Sequence, residues 1–124
     1  MYASAAIVPL APGQAEAWRR WTQELSGVRK HEFADACRRL GILRVVAWST
    51  EIEHAEVVIL YVETSQPRQG RSLLAASQEP FDLWLKQQLS TLHGLDLTQL
   101  MRAFRGDLVF AWPNGQQPAP RLQT

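Results

Sequence analysis

The sequence predicts an α+β domain with the element order β-α-β-β-α-β, in which helices cover one face of a four-stranded antiparallel sheet. Residues 43–63 hold two runs of β-branched and aromatic residues around a short polar segment, which is typical of a β-hairpin. Stretches with apolar residues at spacings of three and four lie before and after it, as in amphipathic helices. Short β-rich runs at residues 2–8 and 107–112 complete the order. It is the ferredoxin-like split β-α-β pattern.

The first crossover is predicted as one kinked helix. Its apolar stripe runs from Trp18 to Leu40, and Pro12 fits its first turn, where a missing N–H costs nothing. Gly27 weakens the middle and marks the expected kink. Gly41 suits a left-handed cap at the end.

The hairpin has a predicted register. If residues 51–56 form the loop, Trp48 lies opposite Ile59 and Arg44 lies opposite Glu63. The oppositely charged pair supports this register by roughly 0.2–1 kcal/mol. Both faces are apolar at their centres, whereas a half-solvated sheet would alternate apolar with polar residues. We therefore expect the sheet to be covered on both faces.

The second crossover begins with a turn-rich link at residues 64–70 and a short helix at residues 71–78. A longer helix is predicted from Pro80 to His93, with Gly94 as its stop.

The end of the chain is predicted to hold one more helix and one more strand. Asp96 and Gln99 form a capping-box pattern that starts a short helix. Residues 107–112 are the last predicted strand, so the ferredoxin-like domain covers residues 1–112. Residues 113–124 are rich in Pro, Gln and Gly, and are expected to be a flexible tail or an arm that orders against a partner.

Composition narrows the class of protein. The chain has 124 residues and a net charge of +1, which gives no broad electrostatic case for nucleic acid or a membrane surface. Its single cysteine, Cys37, excludes an internal disulfide, suits a reducing compartment and lies on an apolar stripe, where we expect it to be packed and inert. The start lacks a basic region, and no apolar run approaches the roughly 20 residues of a membrane span. We expect a cytoplasmic protein.

The open face of the predicted sheet implies a partner. Helices on one side would leave an apolar β surface on the other, and a monomer should not expose such a patch. A twofold homodimer that packs sheet against sheet would bury it.

The chain resembles the dimeric α/β-barrel superfamily and, more narrowly, a group of small uncharacterised bacterial proteins. Four segments between residues 8 and 97 carry the resemblance: Pro9-Leu10 with Pro12-Gly13, Arg38-Arg39-Leu40-Gly41-Ile42, Pro80-Phe81-Asp82 with Trp84, and His93-Gly94 with Asp96-Leu97. The resemblance implies the ferredoxin-like fold and a dimer. The superfamily includes cofactor-free monooxygenases, haem enzymes, isomerases and stress proteins, and none of its catalytic motifs maps onto this chain residue by residue.

A pocket between sheet and helices is the expected functional site, and an apolar pocket with few polar groups suits a small aromatic or apolar ligand. We expect its polar groups to include two candidate catalytic histidines, His93 and His31, and five ligand-binding residues, namely Arg38, Trp48, Tyr61, Asp82 and Trp84. A cofactor-independent monooxygenase-like enzyme is one hypothesis. A non-enzymatic ligand-binding or stress-associated dimer is the alternative.

Simpler structural roles compete with each candidate. The Trp and Tyr residues could be ordinary core. His93 could cap a helix or act as a general base, His31 could form a surface pair with Asp35, and either histidine could bind haem. Asp82 fits the first turn of a helix, and it becomes a functional candidate if it is buried beside Arg38.

No phosphate loop, serine elbow or zinc pattern is present in the sequence, so we expect no cofactor and no metal. His54 and the glutamates around it in the hairpin loop could bind a metal only adventitiously, because nothing fixes their geometry.

Overall fold

A computed structural model describes residues 1–113 and 117–118 of the chain. The described residues form an α+β fold, as predicted, with three long antiparallel strands and five helices. The strands are β1 (Tyr2–Pro9), β2 (Ile42–Ile52) and β3 (Ala55–Thr64), and the helices are α1 (Ala15–Ser26), α2 (Lys30–Leu40), α3 (Pro67–Ala76), α4 (Pro80–His93) and α5 (Leu97–Arg102). A two-residue segment, β4 (Gln117–Pro118), pairs with the start of β1.

The β2–β3 hairpin has the predicted register, including Arg44 opposite Glu63. Pairing continues further into the expected loop, so the connection shortens to a two-residue turn at Glu53 and His54. Both turn residues have positive φ, 50° and 68°, as a type I′ hairpin turn requires. The tight turn keeps the two strands in one register from Arg44 to Ile52, and the register shifts between Ile42 and Arg44.

The helices pack on one face of the sheet. The strand order is β2-β3-β1, with β1 antiparallel to β3 from the Tyr2–Thr64 pair to the Pro9–Val57 pair. Residues of the helix-covered face join the two apolar clusters of the core, and they include Ala6, Val8, Ala47, Val58 and Leu60. In the part of the chain that the structure describes, residues of the opposite face are absent from both clusters.

The predicted four-stranded ferredoxin-like sheet, and the dimeric α/β barrel that goes with it, are wrong. Residues 107–112 form no strand, and Val109 is 90% exposed there. β4 runs parallel to β1, whereas the split β-α-β pattern needs an antiparallel fourth strand. An alternating apolar pattern favours extended backbone, but a strand also needs the edge of another strand to pair with. At Tyr2 and Ala3, the edge of β1 pairs with β4 and not with residues 107–112.

The first crossover is two helices, because the chain breaks between α1 and α2 rather than bending. A Cβ at Gly27 would lie 2.8 Å from the backbone oxygen of Gln23, so glycine permits this close turn. Gly41 ends α2 in the left-handed conformation with a φ of 73°, as predicted.

In the second crossover, α3 starts earlier than expected. Pro67 occupies its first turn, so the helix includes residues that the sequence pattern had assigned to a link. A Cβ at Gly70 would lie 2.5 Å from the backbone oxygen of Leu40, which shows how closely α3 approaches the end of α2.

Helix α4 ends and helix α5 begins as predicted. Gly94 closes α4 with a φ of 68°. The capping box at the start of α5 is present, with the Gln99 N–H donating to the Asp96 carboxylate at 2.8 Å and the Asp96 N–H donating to the Gln99 side-chain oxygen at 2.9 Å. None of the helices in residues 1–113 combines the length and the apolar character that crossing a bilayer requires.

The predicted tail at residues 113–124 falls largely outside the described residues. The division into a domain of residues 1–112 and a tail or dimer arm therefore stays a prediction.

Candidate functional site

A cavity of about 530 Å³ lies between the sheet and the helices that cover it. Its volume is within the range of roughly 300–1,000 Å³ that is usual for small-molecule sites. The strands supply its floor from the helix-covered face, through Ser4, Val45, Ala47, Leu60, Val62 and Thr64. This floor is apolar apart from two hydroxyl groups at one end.

Helix α1 supplies one wall. Trp18, Trp21 and Leu25 follow the helical spacing of three and four, and all three are buried. The indole Nε1–H of Trp21 is buried and has no acceptor among the described residues. A buried donor left in this state costs about 1–3 kcal/mol.

Two hydroxyl residues of α1 also line the cavity, but their protons are used within the helix. The Thr22 hydroxyl donates to the backbone oxygen of Arg19 at 2.8 Å, and the Ser26 hydroxyl donates to the backbone oxygen of Thr22 at 3.1 Å. Their oxygens can only accept a further hydrogen bond.

Helix α3 brings a charge to the cavity. Its cavity-lining residues recur at helical spacing, as Pro67, Gly70, Arg71 and Leu74. Arg71 is half-buried, and no ion pair in the described part of the chain includes it. Burial lowers the pKa of its guanidinium, and the positive charge of Arg68 lowers it further. The cavity therefore contains a cation that this part of the chain does not neutralise.

Helix α4 brings a neutral histidine to the same cavity. His93 is buried, and its Nδ1–H donates to the backbone oxygen of Pro9 at 2.8 Å, because a carbonyl oxygen can only accept. Burial lowers the pKa of the imidazole, although the hydrogen bond to Pro9 opposes this shift. Since Nδ1 carries the proton of the neutral ring, Nε2 is an unprotonated acceptor.

Asp82 is buried, but it belongs to a structural ion pair away from the cavity. Arg39 binds its carboxylate with both terminal nitrogens, at 2.7 and 3.0 Å, and the Ser77 hydroxyl donates to it at 2.6 Å. The Arg39 hydrogen bond is the main cause that holds the pKa of Asp82 below its usual range, and burial opposes it. The pair ties α2 to the start of α4.

The sequence made Asp82 a functional candidate on the condition that it was buried beside Arg38, and in the structure it is buried beside Arg39 instead. The Arg38 side chain is 71% exposed and forms an ion pair with Asp35 at 3.4 Å. The two arginines are neighbours on α2, so they point in different directions around the helix, and Arg39 is the one that faces α4.

The other candidate residues also lie outside the cavity. Trp48 and Tyr61 are on the open face of the sheet, where the Tyr61 hydroxyl donates to the Glu63 carboxylate at 2.5 Å. Trp84 packs against the core and lies under the guanidinium of Arg29, with 4.0 Å between the guanidinium carbon and the ring centroid. His31 is exposed on α2. Of the seven candidates, His93 is the one among the described lining residues of the cavity.

Two lining residues of the cavity, Trp21 on its apolar wall and the charged Arg71, are not among the candidates predicted from the sequence. Trp21 was recognised as part of a buried stripe, and its unpaired N–H is a tertiary property without a sequence signal. The cavity-facing stripe of α3 was readable, but placing the helix start at residue 71 removed Pro67 and Gly70 from it. Once Pro67 and Gly70 are included in the helix, Arg71 is a charged residue on its otherwise apolar stripe.

A smaller cavity of about 330 Å³ lies beside the first one, between α2 and β2, and Cys37 lines it. Burial raises the pKa of the Cys37 thiol, against the opposing effect of Arg38. A protonated thiol is a weak nucleophile, which agrees with the expected packing role. In residues 1–113, no three His, Cys, Asp or Glu residues are grouped so that they could hold a metal ion.

Comparison with known proteins adds no relative. No protein-family model, no curated protein and no solved structure matches the chain. The resemblance to the dimeric α/β-barrel superfamily stays a prediction from sequence.

Proposed function

We propose that this protein binds a small, mainly apolar molecule in the cavity between its sheet and its helices. The observation that carries the proposal is the cavity itself, whose volume suits such a ligand and whose lining is predominantly apolar. The tryptophan wall of α1 offers the ligand a large apolar surface. The Nε2 atom of His93 and the hydroxyl oxygens of Thr22 and Ser26 supply a few polar groups, as is usual in such sites.

Filling the cavity tests this proposal. Ala47→Phe adds a ring to the cavity floor, and Ala5→Phe adds the same ring to the opposite face of the sheet. N-phenyl-1-naphthylamine is a suitable neutral probe, because its fluorescence rises in an apolar site. We expect wild type and Ala5→Phe to bind it and Ala47→Phe to lose at least tenfold in affinity.

Circular dichroism shows whether Ala47→Phe still folds, and Ser4→Leu provides a second, milder filling from β1. Binding of the probe to both folded cavity variants with wild-type affinity would contradict the proposal. Failure of the wild type to bind the probe or any member of a panel of apolar molecules would also contradict it.

A second candidate function is catalysis in the same cavity, and the tautomer of His93 favours it. An imidazole with its proton on Nδ1 has Nε2 free to take a proton from a bound molecule, as a general base does. Such a base fits the cofactor-independent monooxygenase-like activity that is one hypothesis from the sequence, because removing a proton from a substrate such as a quinol prepares it for oxidation by oxygen. His93→Gln keeps an N–H donor for Pro9 but cannot act as this base. Consumption of a quinol in air that persists in His93→Gln would exclude this role.

We also propose that a second copy of the chain covers the open face of the sheet. This face exposes Ile7 by 58% and Trp48 by 54%, and an apolar patch of this kind is typical of an interface. Trp48→Glu should shift sedimentation at micromolar concentration toward the monomer, whereas Leu83→Glu, an exposed position on α4, should not. A wild-type protein that sediments as a single protomer would contradict the dimer.

The cytoplasm is the compartment that we propose for this binding. A single cysteine with no possible internal partner is well suited to a reducing environment.

A further inference from the structure

The cavity contains one fixed positive charge among its described lining residues. Arg71 lies between Gly70 and Leu74 on the cavity-facing stripe of α3. The second titratable lining residue, His93, is neutral because burial lowers its pKa. Charges inside proteins are normally paired or well hydrated, because transfer of an unpaired ion to apolar surroundings is costly. The Arg71 guanidinium is half-buried and has no ion-pair partner in the described part of the chain, so a bound anion would replace its partial hydration with a charge-assisted pair.

We propose that the ligand is an amphiphilic monocarboxylate, whose acid group binds the guanidinium of Arg71 and whose apolar body lies along Trp18 and Trp21. This inference rests on the proposed binding function and specifies the class of ligand. A guanidinium presents two parallel N–H donors that match the two oxygens of a carboxylate.

Charge balance favours a monoanion over a dianionic phosphate. Arg71 supplies one positive charge inside the cavity, so one carboxylate leaves the occupied site neutral. A second negative charge would have no cation among the described lining residues. Arg68 is exposed on the outer side of α3 and does not line the cavity, so it adds attraction at the surface without contacting the ligand.

The topology also puts Arg71, and with it the ligand's acid group, at one end of the cavity. Thr64 ends β3 opposite Tyr2, and α3 begins three residues later, so Arg71 enters from this end of the sheet. His93 enters from the opposite end, where it binds the backbone oxygen of Pro9. A ligand with a polar group at one end only would therefore have a defined orientation.

Isothermal titration calorimetry with a matched pair of ligands tests this inference. Naphthalene-2-carboxylate carries the acid, and naphthalene-2-carboxamide has the same body without the charge. Arg71→Met keeps the apolar stem and removes the charge, and Arg68→Met makes the same change on the exposed side of the helix. We expect the acid to bind wild type roughly tenfold to a hundredfold more tightly than the amide, since charge-assisted bonds are the stronger ones.

Arg71→Met should remove this preference, because it weakens binding of the acid far more than binding of the amide, while Arg68→Met should retain most of it. Equal binding of acid and amide by the wild type would overturn the inference and leave the proposed function intact. An equal loss in both arginine variants would also overturn it, because it would show general attraction rather than a contact. If neither ligand binds the wild type and the neutral probe also fails, the proposed function itself is wrong.

Discussion

Removing the charge of Arg39 should destabilise the protein far more than the same change at its neighbour. Asp82 is fully buried, so Arg39→Met leaves its carboxylate with the Ser77 hydroxyl as its remaining close partner. Breaking a buried pair in this way costs about 3–5 kcal/mol. The Arg39 side chain is 34% exposed, so water reaches part of this site. We therefore expect a smaller loss of stability, about 2–3 kcal/mol.

Arg38→Met is the matched control, because it removes only an exposed pair with Asp35 that is worth about 0–1 kcal/mol. Urea unfolding followed by circular dichroism measures both variants at neutral pH. The pair lowers the folded-state pKa of Asp82, so its stabilisation is present above the unfolded pKa near 3.9 and is lost as the pH falls through the folded value. The difference between wild type and Arg39→Met should therefore shrink in acid. Equal unfolding midpoints for the two variants would refute this reasoning.

Two further predictions follow from His93 and Gly70. The folded-state pKa of His93 is lowered, so below about pH 6.5 the unfolded chain binds more protons than the folded chain, and the free energy of unfolding decreases as the pH decreases. His93→Gln should flatten this pH dependence in urea unfolding, and an unchanged slope would contradict it. Gly70→Ala gains up to about 1 kcal/mol of helix propensity, but its Cβ would lie 2.5 Å from the Leu40 backbone oxygen, and overpacking costs about 1–3 kcal/mol. We expect Gly70→Ala to destabilise the protein by about 1–2 kcal/mol. Gly106→Ala, whose Cβ would meet nothing within 4 Å, should be close to neutral. Equal effects at the two glycines would contradict the close approach of α3 to α2.

The hairpin and most helix ends were predictable because their signals are local. The β-branched runs and the Arg44–Glu63 pair specify one register, and the structure has it. Pro80 and Gly94 bound α4, because proline has the fixed φ that the first helical turn uses and glycine adopts the left-handed conformation at a helix end without a steric penalty.

The final strand was not predictable from the same kind of signal. Alternating apolar residues at 107–112 favour extended backbone, but which edge a strand joins depends on contacts far apart in sequence. The structure places β4 against the start of β1 and leaves Val109 and Phe110 exposed.

The position of the cavity was predicted, but most of its lining was not. Register assigns residues to two faces of a sheet, and it does not say which face the helices cover when both are apolar. Trp48 and Tyr61 were assigned to the cavity on their chemical character, and they belong to the open face. Successive side chains of a strand point to opposite faces, so neighbouring residues such as Trp48 and Ala47 lie on different sides of the sheet. Arg71 was missed for a different reason, which is that its helix begins four residues earlier than the turn-rich composition indicated.

The most direct test of the ligand site is a crystal structure of the protein with naphthalene-2-carboxylate. We expect the naphthalene ring to lie against Trp18 and Trp21, with both carboxylate oxygens within hydrogen-bond distance of the Arg71 guanidinium. A structure in which the cavity has closed, or in which the ligand binds elsewhere and Arg71 points into solvent, would contradict this expectation.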